Sequence, residues 1–554
     1  MMDKNAWKLL GLLALVGGLL ISSALGLLPW DLFSPQPTEI PFVAPGWTVT
    51  PSPDPTPTSQ VTPTPVTETL WLAPELPESF RARVGYPSEI LQTNLPQDAA
   101  VRLAPGGEAV VSRWVYALVA PFPTTLENVP GEILEQVWRG RPYEPLEGRP
   151  LLMTSSTQEM LRALWGKPDP DLIQVVSRAQ LSDRAWSATP SWAVVPFDQL
   201  NPSWKVLEVD GQSPLSPAFQ LEKYPLVVPI SREGQELTGM TYPEGNRDPD
   251  QLTSLVMTGV TALVRATAYT MEQQGITYPA RDIREMLRGA DLTHISNEVP
   301  FVQGCPYPDP NQKTLRFCSD PRYIELLEYI GTDVVELTGD HFGDWGPEAM
   351  LDTLELYQDR EWSVYGGGAN LKEAQQPLKL EHNGNRLAFL GCNAKGGGYA
   401  TAGPDYPGAA ACDLELLEKQ IGELRAEGYL PIVTFQHFEY YTYRAQPDQI
   451  RDAQRMADAG AVIVSGSQAH QPQAFQFRRD ALIHHGLGNL FFDQLLEIPP
   501  NTATAFIDRH IFYQGEHIST EPLTIQFVDF ARPRPMTPEE REQLLEIVFQ
   551  ASGW

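Results

Sequence analysis

Asp340, His341 and Asp344 fall within ten residues, LTGDHFGDWG at 337–346. A carboxylate and imidazole donor set of this kind suits a divalent metal ion. The stretch follows the β-branched run at 333–336 and precedes a segment with helical period. The three side chains are therefore expected on the loop leaving the carboxyl end of a strand, where α/β domains place their chemistry. A second reading is open on these residues alone: Asp340 and Asp344 cap the next helix, and His341 is an ordinary loop residue. Glu298, His437 and His470 each follow another apolar run that reads as a strand. Metal-competent side chains at the ends of several strands can converge on one site.

The elements that would position them form a long alternating series after Gly239. SLVMTG, DLTHIS, DVVEL, PIVTFQ and AVIVS read as strands, and a strand pair surrounds LKLEHNGNRLAFLGCN. TALVRATAYTMEQQG, ARDIREMLRGA, PRYIELLEYIG, PEAMLDTLELYQDR, LELLEKQIGELRAEG and QIRDAQRMADAG read as helices. Repeated units of this kind predict a layered α/β domain whose polar loops gather along one edge. The terminal TPEEREQLLEIVF predicts a helix with Thr537 as its cap and Pro538 in its first turn.

The chain has 554 residues, 42% of them hydrophobic, which is enough for more than one core. A net charge of −29 argues against nucleic acid or anionic lipid as a partner. Residues 7–29 carry one charge and are long enough to span a bilayer, and Lys4 and Lys8 at the leading edge keep the amino terminus cytoplasmic. A cleaved signal peptide ending near Ser22 and Ala24 is the competing reading; because the apolar run continues to Leu28, an uncleaved single-pass anchor is favoured. Residues 34–67, rich in Pro, Thr and Ser, then form an extracytoplasmic linker. Two local disulfides, Cys305 with Cys318 and Cys392 with Cys412, are the simplest framework for an exported chain; three connectivities are formally open. Neither pair has the CxxC spacing of a thiolate zinc site.

Between 68 and 235 the units are shorter. The phrases PLLMTSSTQEMLRALWG and PSWAVVPFDQLNPSWKVLEVDGQSP, followed by YPLVVPI, resemble the periplasmic substrate-binding-protein fold, a smaller α/β domain enclosing a small ligand. Thr154, Ser155 and Ser156 would stand between a strand and a helix, where they can hold an anion. The alternative is a capping box made by Ser156 and Glu159.

Six segments occur in order in the second half: SNE at 296–298, GDHFGDWG at 339–346, GGGANLKEAQQP at 366–377, QHFEYY at 436–441, AGAVIVSGSQAHQPQ at 459–473 and HGLGNLFFD at 485–493. Together they resemble the CapA family of poly-γ-glutamate capsule-biosynthesis proteins, over about 300 residues. The resemblance implies a calcineurin-like metallophosphatase fold for 236–554, with the bulk of the chain extracytoplasmic behind a transmembrane anchor at 1–33. It implies a divalent metal ion (Mn, Zn or Fe), a polyanionic envelope polymer as partner, and other capsule-synthesis proteins nearby.

The chain also departs from the family pattern. The metal-binding Asp of the opening motif falls on Val260, with Arg265 kept; the late HPH motif reads Gln468, Ala469, His470; Asn489 and Asp493 are retained. The resemblance then assigns one metal to Asp340, His341, His437 and His470, nucleophile orientation or proton transfer to Glu298 or Asp344, and substrate contacts to Arg265, Asn297, Gln468 and Asn489. Two functions are implied: a metal-dependent hydrolase or transferase acting on the polymer, or a catalytically silent surface receptor that binds a small ligand or polymer. Gly366 to Gly368 lack the GK[ST] of a phosphate loop and predict a turn. His294 predicts a core histidine, and of the adjacent His484 and His485 at most one can face a site.

Overall fold

In the computed structural model, which describes residues 68–554 apart from 397, 399 and 495–499, the strand Leu252–Thr258 is buried along its whole length. A strand covered on both faces must lie between two layers, and the alternation of its side chains shows which. Leu255 and Met257 join Val334, Leu387, Phe389, Ile432, Ile463 and Phe512 in one core, whereas Val256 joins Ile295, Val335 and the helical residues Met271, Leu287, Leu327 and Met350 in another.

The first core lies between two sheets. One runs Ser363–Tyr365, Val334–Glu336, Leu292–Asn297, Leu252–Thr258, Thr504–Tyr513, Glu516–Phe527 and Pro533–Pro535. The first four of these strands pair in parallel and the last three add antiparallel. The facing sheet runs Leu378–His382, Asn385–Asn393, Leu430–Gln436, Ile463–Ser465, Ala481–His484 and Phe475–Arg478. Its outer face packs Ala388, Val433 and Val464 against Ile421, Leu424 and Met456 of the helices Leu414–Ala426 and Pro447–Ala459. The order is helix, sheet, sheet, helix: a mixed, layered α/β arrangement.

Residues 69–234 build a further mixed sheet around the long strand Val110–Pro121. Its core includes Leu252, Ile511, Tyr513 and Ile518, and the Phe197 and Tyr513 rings meet edge to face at 5.1 Å. The described residues accordingly fall in one compact unit. The apolar run 7–29 and the linker 34–67 lie outside the described residues; among the described residues no helix is long and apolar enough to cross a membrane.

Local departures from the sequence reading have physical causes. The helix expected from 261 begins only at Arg265, because Val260 and Thr261 are recruited as a short buried strand between Leu292–Asn297 and Asn489–Phe491. At the helix Ser155–Trp165 the cap is Thr154, whose Oγ1 accepts from Thr157 N at 3.3 Å, and not Ser156; Glu159 instead pairs with Arg162. The terminal helix Pro538–Ser552 carries the Thr537–Glu540 capping box. Both disulfides join the local pairs, Cys305 with Cys318 and Cys392 with Cys412. His294 sits in the inter-sheet core, its Nε2 2.8 Å from Tyr365 Oη and 3.5 Å from Glu336. His484 donates from Nδ1 to the buried Asp508 at 2.6 Å.

Candidate functional site

The 337–346 loop leaves the carboxyl end of Val334–Glu336, but Asp340 and Asp344 do not cap the next helix. That helix, Gly346–Gln358, is preceded by Trp345 with no side-chain cap. Asp344 instead accepts at Oδ2 from Phe317 N at 2.7 Å and from His341 Nδ1 at 2.8 Å. A carboxylate can only accept, so Nδ1 keeps its proton, and Nε2 is the atom that His341 can turn to a metal once the proton there is displaced.

Glu298 enters from the end of the neighbouring strand Leu292–Asn297. A Cβ at Gly339 would lie 2.7 Å from Glu298 Cα, so only glycine there lets the two loops approach. As a result one ligand atom each from Glu298, Asp340 and His341 lie within 4.8 Å of one another. His470, on the loop after Ile463–Ser465, donates from Nδ1 to Asn489 Oδ1 at 2.8 Å and holds Nε2 3.9 Å from Glu298 Oε1.

The charges here are tightly linked. Burial pushes the Glu298 carboxyl well above the usual carboxylate range, and its Oε1 has no hydrogen-bond partner. Burial opposes ionisation of His341, but the bond to Asp344 and the nearby Glu298 and Asp340 outweigh it and carry its pKa up to about 9. Burial likewise raises Asp340, yet His341 and Lys395 win and leave it lowered. His470 is held down, chiefly by burial, which keeps its imidazole neutral and able to ligate.

Three residues outside the expected set complete the cluster. Lys395 Nζ donates to Asp340 Oδ2 at 2.6 Å and to Glu439 Oε1 at 2.5 Å. Gln436 Nε2 donates to Asp340 Oδ1 at 3.3 Å. Lys395 follows the strand Asn385–Asn393 as the other candidates follow theirs, so strand-end position could have marked it; a search for metal ligands passes over a lysine.

His437 is not part of the cluster. Its Nε2 lies 3.3 Å from Asp452 Oδ2 and its ring packs on Phe435, because the chain turns outward after Leu430–Gln436 and directs the imidazole toward the helix Pro447–Ala459. Asp344 stands behind His341 as its orienting group. Arg265 donates to the Asp493 carbonyl at 2.8 Å and lies over Phe317 and Phe492. It does so with φ +45°, a left-handed conformation that costs about 1–2 kcal/mol for a side chain of this kind. Asn297 is committed to Val299 O and Tyr357 Oη, and Gln468 donates to Ser296 Oγ at 2.6 Å.

These residues fit one divalent cation. Glu298 offers a buried, unpartnered oxygen, Asp340 and His341 converge on it, and His470 supplies a neutral imidazole at the edge. With Lys395 held between Asp340 and Glu439 they offer no second set: Val260 is apolar and fully buried and the Gln468 amide is already engaged.

The pattern of the bacterial capsule synthesis protein family PGA_cap matches residues 254–494, which contain all of these groups. The capsule biosynthesis protein CapA of Bacillus anthracis is 25% identical over 317 residues, 56% of this chain and 76% of its own length. The PGA biosynthesis protein CapA of Bacillus subtilis is 24% identical over 44% of this chain and 64% of its own length. Among solved structures, a 5'-nucleotidase precursor from Thermus thermophilus aligns at 16% identity over 55% of this chain and 58% of its own, with a TM-score of 0.33, too low to carry an argument. Residues 254–494 thus carry the pattern of the bacterial capsule synthesis proteins, and the chain is similar to the CapA proteins of that family.

Proposed function

We propose that this chain acts in the synthesis or anchoring of a poly-γ-glutamate-type envelope polymer, as a metal-dependent hydrolase or transferase with a metallophosphatase-type site. The observation that carries this reading is the buried Glu298 oxygen without a partner, faced by Asp340 and His341. Glu298, Asp340, His341 and His470 would hold the ion, manganese, zinc or iron. Bound there, a divalent ion polarises a carbonyl or phosphoryl oxygen or lowers the pKa of water.

The chain's own residues prepare the site. Asp344 fixes the tautomer of His341, and Asn489 fixes that of His470. Phe317, 4.8 Å from the His341 ring, shields the Asp344–His341 bond. Phe438 and Tyr441, close to Glu439 in sequence, are both exposed. A chain of net charge −29 repels a polyanion, so capture of such a polymer at this acidic cluster depends on the cation.

A second reading is favoured by one observation. The ammonium of Lys395 already answers Asp340 and Glu439, as it would in a receptor that no longer turns over substrate. We also read residues 1–33 as the anchor, 34–67 as the linker, 68–235 as a ligand-binding domain and 236–554 as the CapA-like domain. The test is release of glutamate oligomers from poly-γ-glutamate, and hydrolysis of a generic phosphodiester, by the manganese-loaded full-length protein. Turnover abolished by Glu298→Gln supports the hydrolase; tight polymer binding without turnover of either substrate supports the receptor.

A further inference from the structure

The least expected group in the cluster is a positive charge. Lys395 is drawn in from the end of Asn385–Asn393, where its own N–H donates to Asn393 Oδ1 at 2.9 Å, and its side chain is only 6% exposed. Burying an ammonium is costly unless it is paired and hydrogen-bonded. Here it is held by Asp340 and Glu439. Asp340 is therefore shared: it contacts the ammonium on one side and belongs to the Glu298–His341 group on the other. A carboxylate shared by two cations is the usual arrangement of a two-metal hydrolytic site.

We propose that Lys395 is a tethered cation standing where a second metal ion would otherwise be needed, so that the cluster takes a single divalent ion. This inference rests on the metal-binding reading above. Charge supports it: the Lys395 ammonium already answers Asp340 and Glu439, which leaves Glu298, the other side of Asp340, His341 and His470 for a single ion. Geometry supports it too. Lysine is a compact point charge with three donors and can satisfy two carboxylates at once. While it holds Asp340 and Glu439, neither carboxylate is open to a second ion.

The test is calorimetric titration of manganese chloride into the full-length protein, with metal content measured after desalting, for the parent, Lys395→Met and Lys395→Arg. The parent should take one equivalent. Lys395→Met, which frees Asp340 and Glu439, should take two, and Lys395→Arg should stay at one. If the parent takes one and Lys395→Met also takes one at unchanged affinity, the tethered-cation proposal is overturned while the metal site stands. Two equivalents in the parent or in Lys395→Arg overturn it as well. No uptake by the parent overturns the metal-binding reading itself. Should Lys395→Met fail to fold, as judged by its thermal transition, Lys395→Gln removes the same charge in a polar side chain and must give the same two equivalents.

Discussion

His341 Nδ1 donates to Asp344 Oδ2 at 2.8 Å, and that one bond decides which nitrogen faces Glu298 and Asp340. Asp344→Asn keeps the size of the side chain but replaces an acceptor-only group with an amide that can turn its NH₂ toward the ring. Metal affinity is expected to fall about 10- to 100-fold, as for other groups that orient a ligating histidine. The thermal transition should change little. Calorimetric titration with manganese measures it, and unchanged affinity would show that the bond is incidental.

Phe317 and Asp344 also tie the site to a disulfide. Cys318 follows Phe317, whose N–H holds Asp344 and whose ring lies against His341. The Cys305–Cys318 bridge closes a loop of sequence separation 13, for which chain entropy gives about 3 kcal/mol. Replacing both cysteines by serine should lower unfolding free energy by about that amount and also weaken metal binding. Chemical denaturation and metal titration on the same protein separate the two effects. Loss of stability with unchanged metal affinity would mean that the loop does not support the site.

The histidines of the sheet region predict sensitivity to acid. Burial holds the His485 pKa down at about 3 and that of His517 at about 4, against 6.5 for a free imidazole. Between those values the unfolded chain binds more protons than the folded one. The stability is therefore complete above about pH 6.5 and is lost as pH falls. At pH 5 each histidine should have cost roughly 2 kcal/mol. Denaturant unfolding from pH 7 to 5 measures the slope, which should become shallower in His517→Phe.

Val260 is fully buried in an apolar cluster with Ala262, Val264, Val299, Phe317 and Phe492. Val260→Asp would place a carboxylate there without a cation to answer it. Destabilisation of about 3–5 kcal/mol is expected, the usual cost of an unpaired buried charge. Metal stoichiometry should not rise. A stable variant that gains a second equivalent would show that the second cation place is open at Val260 rather than filled by Lys395.

Much of the layered α/β series is legible in the sequence, because runs such as SLVMT and PIVTF are too apolar and too short for anything but buried strands. The convergence of Glu298, Asp340 and His341 is legible for the same reason: each closely follows such a run. His437 follows one too, yet its imidazole turns to Asp452, and side-chain direction beyond a strand end is set by the helix that packs there, which no local pattern encodes. The role of Asp344 is only half visible, since a carboxylate three residues after a histidine can cap a helix or orient a ring. Lys395 and Glu439 come together across 44 residues of sequence, and a salt bridge between two loops has no periodicity to betray it. Thr261 reads as helix because two residues of strand are too few to interrupt a helical pattern.

The most direct measurement is pulsed electron paramagnetic resonance on the manganese-loaded full-length protein. One bound ion per chain is expected, coupled to imidazole nitrogen, with the His341 contribution removed in His341→Ala and the remainder weakened in His470→Ala. A bound manganese with no imidazole coupling, or couplings that survive both substitutions, would contradict a site built on Glu298, Asp340, His341 and His470.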